Sequence, residues 1–129
     1  MIYKSDFLNE INLRGFIYQI SDNENLDILM SKKKISAYIG FDITSDSLHI
    51  GSLVQLMLLN WLEHFDHKPI ALMGGGTTLI GDPSGKDVTR QILKPIDIEK
   101  NIKKIENSFD KFIDLKKNGR MINNYEWLS

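Results

Sequence analysis

Two short apolar runs, Ile35 to Phe41 and Ile70 to Met73, flank a segment from Leu48 to Phe65 that is apolar on most of its circumference. The first run is rich in β-branched and aromatic residues and ends in the polar turn Asp42-Ile43-Thr44-Ser45-Asp46, so it reads as a buried strand. In the middle segment Leu53, Val54, Leu56, Met57, Leu58, Leu59, Trp61 and Leu62 leave little polar surface, which requires a helix starting at Asp46 or Ser47 to be covered on most sides, as on a sheet. The second run, entered through Lys68-Pro69, reads as another strand. Strand, helix, strand in that order is a βαβ unit with parallel strands, and it sets the fold class as α/β, a parallel sheet with flanking helices.

The remaining elements support this unit. Ser5 or Asp6 caps a short helix carrying Phe7, Leu8 and Ile11 and ended by Gly15, while Ser21 with Glu24 forms a capping box for a second helix over Leu26 to Met30. Lys32 to Lys34 follow as a solvated helix end. Asp87 to Leu93 reads as a short helix stopped near Pro95. From Asp97 to about Lys117 the apolar positions Ile98, Ile102, Ile105, Phe109, Phe112 and Ile113 step by threes and fours, an amphipathic helix stopped by Asn118-Gly119. Arg120 to Ser129 begins a further strand and turn.

Composition narrows the chemistry. Sixteen basic against seventeen acidic side chains give a formal net charge of -1, so the chain carries no overall footprint for a polyanion such as tRNA, and any RNA contact must rest on other regions. With no cysteine, disulfides, thiolate metal sites and cysteine nucleophiles are excluded. His64 and His67 are neighbours in sequence, but no further ligands complete a closed shell around them, so no metal site is expected. Neither a signal peptide nor an uninterrupted apolar span is present, and the expectation is a soluble cytoplasmic protein with no membrane partner.

In a parallel sheet, ligands gather at the carboxyl ends of the strands, and the glycine-rich Gly74-Gly75-Gly76-Thr77-Thr78 follows the second strand there. Two nucleotide motifs fail. A Walker loop counted back from Gly85-Lys86 finds Ile80 in place of its first glycine, and a dinucleotide fingerprint from Gly74 finds Leu79 in place of its third. What fits is an anion site at the unsatisfied N–H groups of the Leu48 helix, with Thr44 and His49 able to add hydrogen bonds and Gly51 open to a flat ring. On spacing alone, a helix start with an incidental histidine is the better fit. Asp82 suits an ammonium group or a turn before proline, and Lys86 with Arg90 suits a polyphosphate or plain solvated charge.

The segments Tyr38-Ile39-Gly40-Phe41-Asp42-Ile43-Thr44, Asp46-Ser47-Leu48-His49-Ile50-Gly51, Ala71-Leu72-Met73-Gly74-Gly75 and Leu79-Ile80-Gly81-Asp82-Pro83-Ser84-Gly85-Lys86 together resemble the bacterial tyrosyl-tRNA synthetases, and the likeness runs on to Asn123-Asn124-Tyr125-Glu126-Trp127. It implies the Rossmann-like nucleotide-binding fold of class I synthetases, first half only, with residues 1–129 as the N-terminal portion of the catalytic domain. It also implies a tyrosine-tRNA ligase, which activates L-tyrosine with ATP to tyrosyl adenylate and transfers it to tRNA(Tyr). Tyr38, Thr77, Asp82 and Asn124 would bind tyrosine, with Tyr38 on the phenol and Thr77 and Asp82 on the ammonium. Gly40, Asp42, His49, Gly51 and Ser52 would contact ATP, and Thr44, His49, Lys86 and Arg90 would stabilise charge on its phosphates. ATP with Mg²⁺ enters as substrate, with no prosthetic group, and the full-length family member is a homodimer.

The chain departs from the family pattern in three places. Ser52 stands where a second histidine is usual, which implies a ribose contact weakened or bridged by water; Ile43 replaces a common proline; and Ile39 offers the ribose no polar group. The lysine-rich loop of the KMSKS type and the RNA-binding region are not found up to Ser129, so the chain by itself is expected to form no tyrosyl adenylate at a useful rate. The alternatives are a non-catalytic tyrosine- or nucleotide-binding module and an inert remnant. A tryptophanyl enzyme is opposed by Tyr38 and Asp82 together.

Overall fold

The computed structural model describes residues 2–42, 50–74, 95–111, 114, 118–124 and 126. Their elements are α1 (Asp6–Leu13), α2 (Asn23–Lys32), β1 (Ser36–Phe41), α3 (Ile50–His64), β2 (Lys68–Met73), α4 (Pro95–Phe109) and β3 (Arg120–Asn123). No helix among the described residues is long and apolar enough to cross a membrane. The expected short helix at Asp87 to Leu93 lies outside them.

Local chemistry sets the helix ends. Ser5 Oγ accepts the Leu8 N–H, so the expected cap of α1 is present. Gly15 has φ 77°, with its N–H donating to Asn12 O at 3.1 Å and the Phe16 N–H to Ile11 O at 2.9 Å, which is a Schellman stop. Helix α2 begins one residue later than its capping box suggested, because the Asp22 carboxylate, and not Ser21, accepts the Asn25 N–H. Asp27 of α2 in turn accepts the Lys4 and Ser5 N–H groups, tying the two helices together before either meets the sheet. Helix α4 starts with Pro95, whose fixed φ suits a first helical position, and it ends at Phe109, short of the Lys117 expected from the apolar period.

The three strands are parallel in the order β1-β2-β3, with Tyr38↔Ile70↔Arg120, Gly40↔Leu72↔Ile122 and Phe41↔Met73↔Asn123 in register. Pro69 sits inside the central strand without breaking a ladder. The Lys68 N–H points to β1, where it meets Ile35 O, so the N–H that Pro69 lacks would point to the other side, and β3 pairs only from Ile70 onward.

Register and burial together assign the faces. Ile39, Phe41, Ala71, Met73 and Met121 share one core with Leu56 and Leu59 of α3 and Ile105 and Phe109 of α4, so both helices cover the same face. The Phe41 and Phe109 rings meet edge to face at 5.0 Å. A second core, around Phe7, Leu8, Ile11, Met30 and Leu62, packs the N-terminal helices against α3. The opposite sheet face carries Tyr38, Gly40, Ile70, Leu72 and Ile122, and there Tyr38 is 68% exposed. Helix α3 is less covered than its composition suggested. It buries one stripe, Ser52, Leu56, Leu59 and Leu62, and leaves Leu53, Val54 and Met57 exposed; among the described elements the sheet and α1 pack against it.

Candidate ligand site at the carboxyl edge of the sheet

The carboxyl ends of all three strands are level. The Gly74 N–H donates to Phe41 O and the Asn124 N–H to Met73 O, each at 2.9 Å, so Asp42, Gly74 and Asn124 leave the sheet side by side. Helix α3 must run back from this edge to reach Lys68 at the other, which puts its N-terminal end, with Gly51 and Ser52, at the carboxyl edge.

Six of the residues expected to bind substrates are therefore on one side of the molecule or bordering it. Tyr38 and Gly40 lie two apart on the open face of β1, and Asp42 follows them, exposed, past the strand end. Asn124 is buried at the end of β3. Gly51 is exposed on α3, and Ser52 is 6% exposed on the stripe that faces the sheet, in line with Leu56 and Leu59. Thr44, His49, Thr77, Asp82, Lys86 and Arg90, with the anion site at the first N–H groups of the Leu48 helix, lie outside the described residues.

Gly40 is informative for what does not surround it. A Cβ built there meets nothing within 4 Å among the described residues, so none of them requires a glycine. A strand residue with no packing reason for lacking a side chain fits a place where a ligand comes close to the backbone. Sequence reasoning missed Leu72 and Ile122, which stand beside Gly40 on the same open face and give it an apolar floor. Only the pairing register could have revealed them, since a continuous apolar run carries no sign of which face each residue takes.

Two clefts adjoin these elements. One of about 430 Å³ lies between α4 and the ends of β2 and β3, where Met73 and Asn123 meet Glu99, Lys103, Glu106 and Glu126. The charged face of α4 thus contributes to a wall near the carboxyl edge. The other, about 280 Å³, follows the free edge of β1 beneath α1 and α2. Its lining is apolar except for Gln19 and the flank of Tyr38, with no converging charges, which suits a packing gap more than a site of chemistry.

Comparison with known proteins bears on this arrangement. The family model for tRNA synthetases class I (W and Y) matches residues 30–129. The chain is 52% identical to the tyrosine–tRNA ligase of Bartonella henselae, over 99% of this chain and 31% of that protein. It is 54% identical to the tyrosine–tRNA ligase of Pelagibacter ubique, over 95% of this chain and 31% of that one. Among solved structures, a C-terminally truncated mitochondrial tyrosyl-tRNA synthetase from Coccidioides posadasii superimposes with a TM-score of 0.72 at 29% identity, covering 94% of this chain and 36% of that one. The corresponding truncated enzyme from Aspergillus nidulans gives 0.73 at 25% identity, covering 94% and 38%. The chain thus spans about a third of the length of the curated relatives it matches.

Proposed function

The chain belongs to the tRNA synthetases class I (W and Y), and on that premise we propose that it is the tyrosine-binding and ATP-binding part of a tyrosine–tRNA ligase, an N-terminal portion of the catalytic domain. The observation that carries this reading is the register Gly40↔Leu72↔Ile122, which sets Tyr38 beside a bare, apolar stretch of sheet running up to Asp42 and Asn124. A flat phenol ring fits that floor. Its hydroxyl then meets the Tyr38 hydroxyl, while Asn124 lines the same end of the pocket and Thr77 and Asp82 take the ammonium group.

In the proposed reaction the tyrosine carboxylate attacks the α-phosphorus of ATP in line, the bond to the β-phosphate oxygen breaks, and pyrophosphate leaves. No protein nucleophile is needed, so the chain contributes positioning and charge stabilisation. Gly51 and Ser52 border the nucleoside, with the main chain at Gly40 and Asp42 near the α-phosphate, and Thr44 and His49 meet the phosphates at the helix N-terminus. Lys86 and Arg90 follow the departing pyrophosphate. Mg²⁺ arrives with ATP as part of the substrate. tRNA(Tyr), a homodimeric assembly and a cytoplasmic location belong to the whole ligase under this reading.

A site built to hydrogen-bond a hydroxyl rejects the analogue that lacks it, tyrosyl-tRNA synthetases being themselves the standard instance of that rule. In a ligase carrying this chain, Tyr38→Phe is expected to weaken tyrosine binding by about threefold to tenfold, the worth of one net hydrogen bond, with phenylalanine binding unchanged. Equilibrium binding of both amino acids measures this, and undiminished discrimination in the variant would remove Tyr38 from the site.

A further inference from the structure

His67 lies at the opposite end of the sheet from the proposed substrates, at the junction where α3 becomes β2. It is 3% exposed, and it takes part in two separate constructions. Its backbone closes α3: the His67 N–H donates to Leu62 O at 3.0 Å and the Asp66 N–H to Glu63 O at 2.9 Å, a Schellman stop with Asp66 in the left-handed region at φ 62°. Its side chain reaches the other strand, where Nδ1 accepts the Ile35 N–H at 3.2 Å.

The second contact fills a gap that the first creates. In a parallel ladder the Ile35 carbonyl meets the Lys68 N–H, as it does here at 2.9 Å, and the Ile35 N–H would next meet the Asp66 carbonyl. The left-handed turn at Asp66 takes that carbonyl out of the ladder, and the imidazole supplies the acceptor instead. Both polar groups of the Ile35 peptide are then held, one rung before Ser36↔Lys68. Counting on from that rung in steps of two gives Tyr38↔Ile70 and Gly40↔Leu72.

We propose that His67 is a positioning residue: as a neutral imidazole protonated on Nε2 it clamps the first rung of the β1–β2 ladder, so fixing where Tyr38 and Gly40 stand against Leu72, and it releases that rung when Nδ1 takes a proton. A protonated Nδ1 is a donor facing a donor, so the hydrogen bond is lost outright. The surroundings oppose the charge. Burial, and then the charge of Lys34, hold the imidazole below its ordinary range, with Asp66 pulling the other way. The Phe7 ring of α1, edge-on at 5.8 Å, offers no charge. The unfolded chain takes up its proton near pH 6.5, whereas the folded chain resists until a lower pH. The His67 contribution is therefore complete above that range and is lost as the pH falls through it.

The clamp concerns the sheet and not a ligand, so it stands or falls apart from the proposed function. Amide hydrogen exchange on the chain itself tests it. Wild-type protection factors at Ile35, and more weakly at Ala37 and Ile39, are expected to fall as the pH is lowered from about 8 to well below 6.5, by roughly tenfold at Ile35 once Nδ1 is protonated, the effect of one lost hydrogen bond. His67→Asn, whose side-chain oxygen can accept the same N–H but does not titrate, should keep the protection without the pH step. His67→Leu should lack it at every pH. If His67→Leu fails to fold, the contrast between wild type and His67→Asn decides alone. Wild-type protection at Ile35 that does not change with pH, or a pH step that survives in His67→Asn, overturns the proposal.

Discussion

Gly40 and Tyr38 stand two residues apart on one bare face, and their chemistry separates folding from binding with unusual clarity. Because a methyl group at position 40 would touch none of the described residues, Gly40→Ala should leave the melting temperature unchanged or slightly raised, as alanine loses less chain entropy than glycine in a strand. If the backbone at Gly40 is where ATP or tyrosine comes close, the same methyl should weaken binding by at least about fivefold, since crowding a tight contact costs about 1–3 kcal/mol. Calorimetry on the variant ligase beside a thermal melt measures both, and unaltered affinity would return Gly40 to the status of an incidental strand residue. Ser52 makes a different point. Its place on the sheet-facing stripe of α3, where it is buried, means that the histidine usual in the family would also project toward the sheet.

At the scale of elements, the two Schellman stops form a natural pair. Gly15 ends α1 and Asp66 ends α3 in the same left-handed conformation, one with the residue that pays nothing for it and one without. Gly15→Ala should therefore destabilise the chain by about 1–2 kcal/mol and Asp66→Gly should stabilise it by up to about 1 kcal/mol, read from denaturant midpoints. Equal effects of the same sign would contradict the assignment. Gly15 was legible in the sequence because glycine after an apolar period is a stop signal, whereas Asp66 carried no such mark. The strands β1 and β2 and the helix between them were legible for a related reason, since composition and turn residues agree along the whole stretch. The end of α4 was not: the apolar period of the sequence runs on past Phe109, whereas the helix gives way to a turn at Asp110 and Lys111, which periodicity alone does not mark. Cap position slipped by one at α2 because Ser21 and Asp22 are both good caps, and only the hydrogen bond to the Asn25 N–H distinguishes them.

For the whole molecule, the decisive feature is that, among the described residues, helices cover one sheet face and none covers the other. The helix-covered face has a closed core about Met73, Ile105 and Phe109, each at most 1% exposed, which a single domain of this size needs in order to hold its strands. The face with Tyr38 has a floor and no opposing wall among the described residues, and α3 adds an exposed stripe of Leu53, Val54 and Met57. Half-walled sites bind weakly, because a hydrogen bond that water can replace contributes little and charge developing in the transition state is screened. The residues of the candidate site were named from the sequence by resemblance, but this one-sidedness was not, since residue identity says nothing about which face a partner element covers. The expectation that follows is that the 129-residue chain binds L-tyrosine weakly, with a Kd around millimolar or above, and supports no measurable ATP–pyrophosphate exchange, whereas a ligase containing it binds tyrosine more tightly and supports exchange. Exchange by the isolated chain at the rate of the complete ligase would mean that a single face suffices for the chemistry, and would transfer the burden of catalysis to the segment bearing Thr77, Asp82, Lys86 and Arg90.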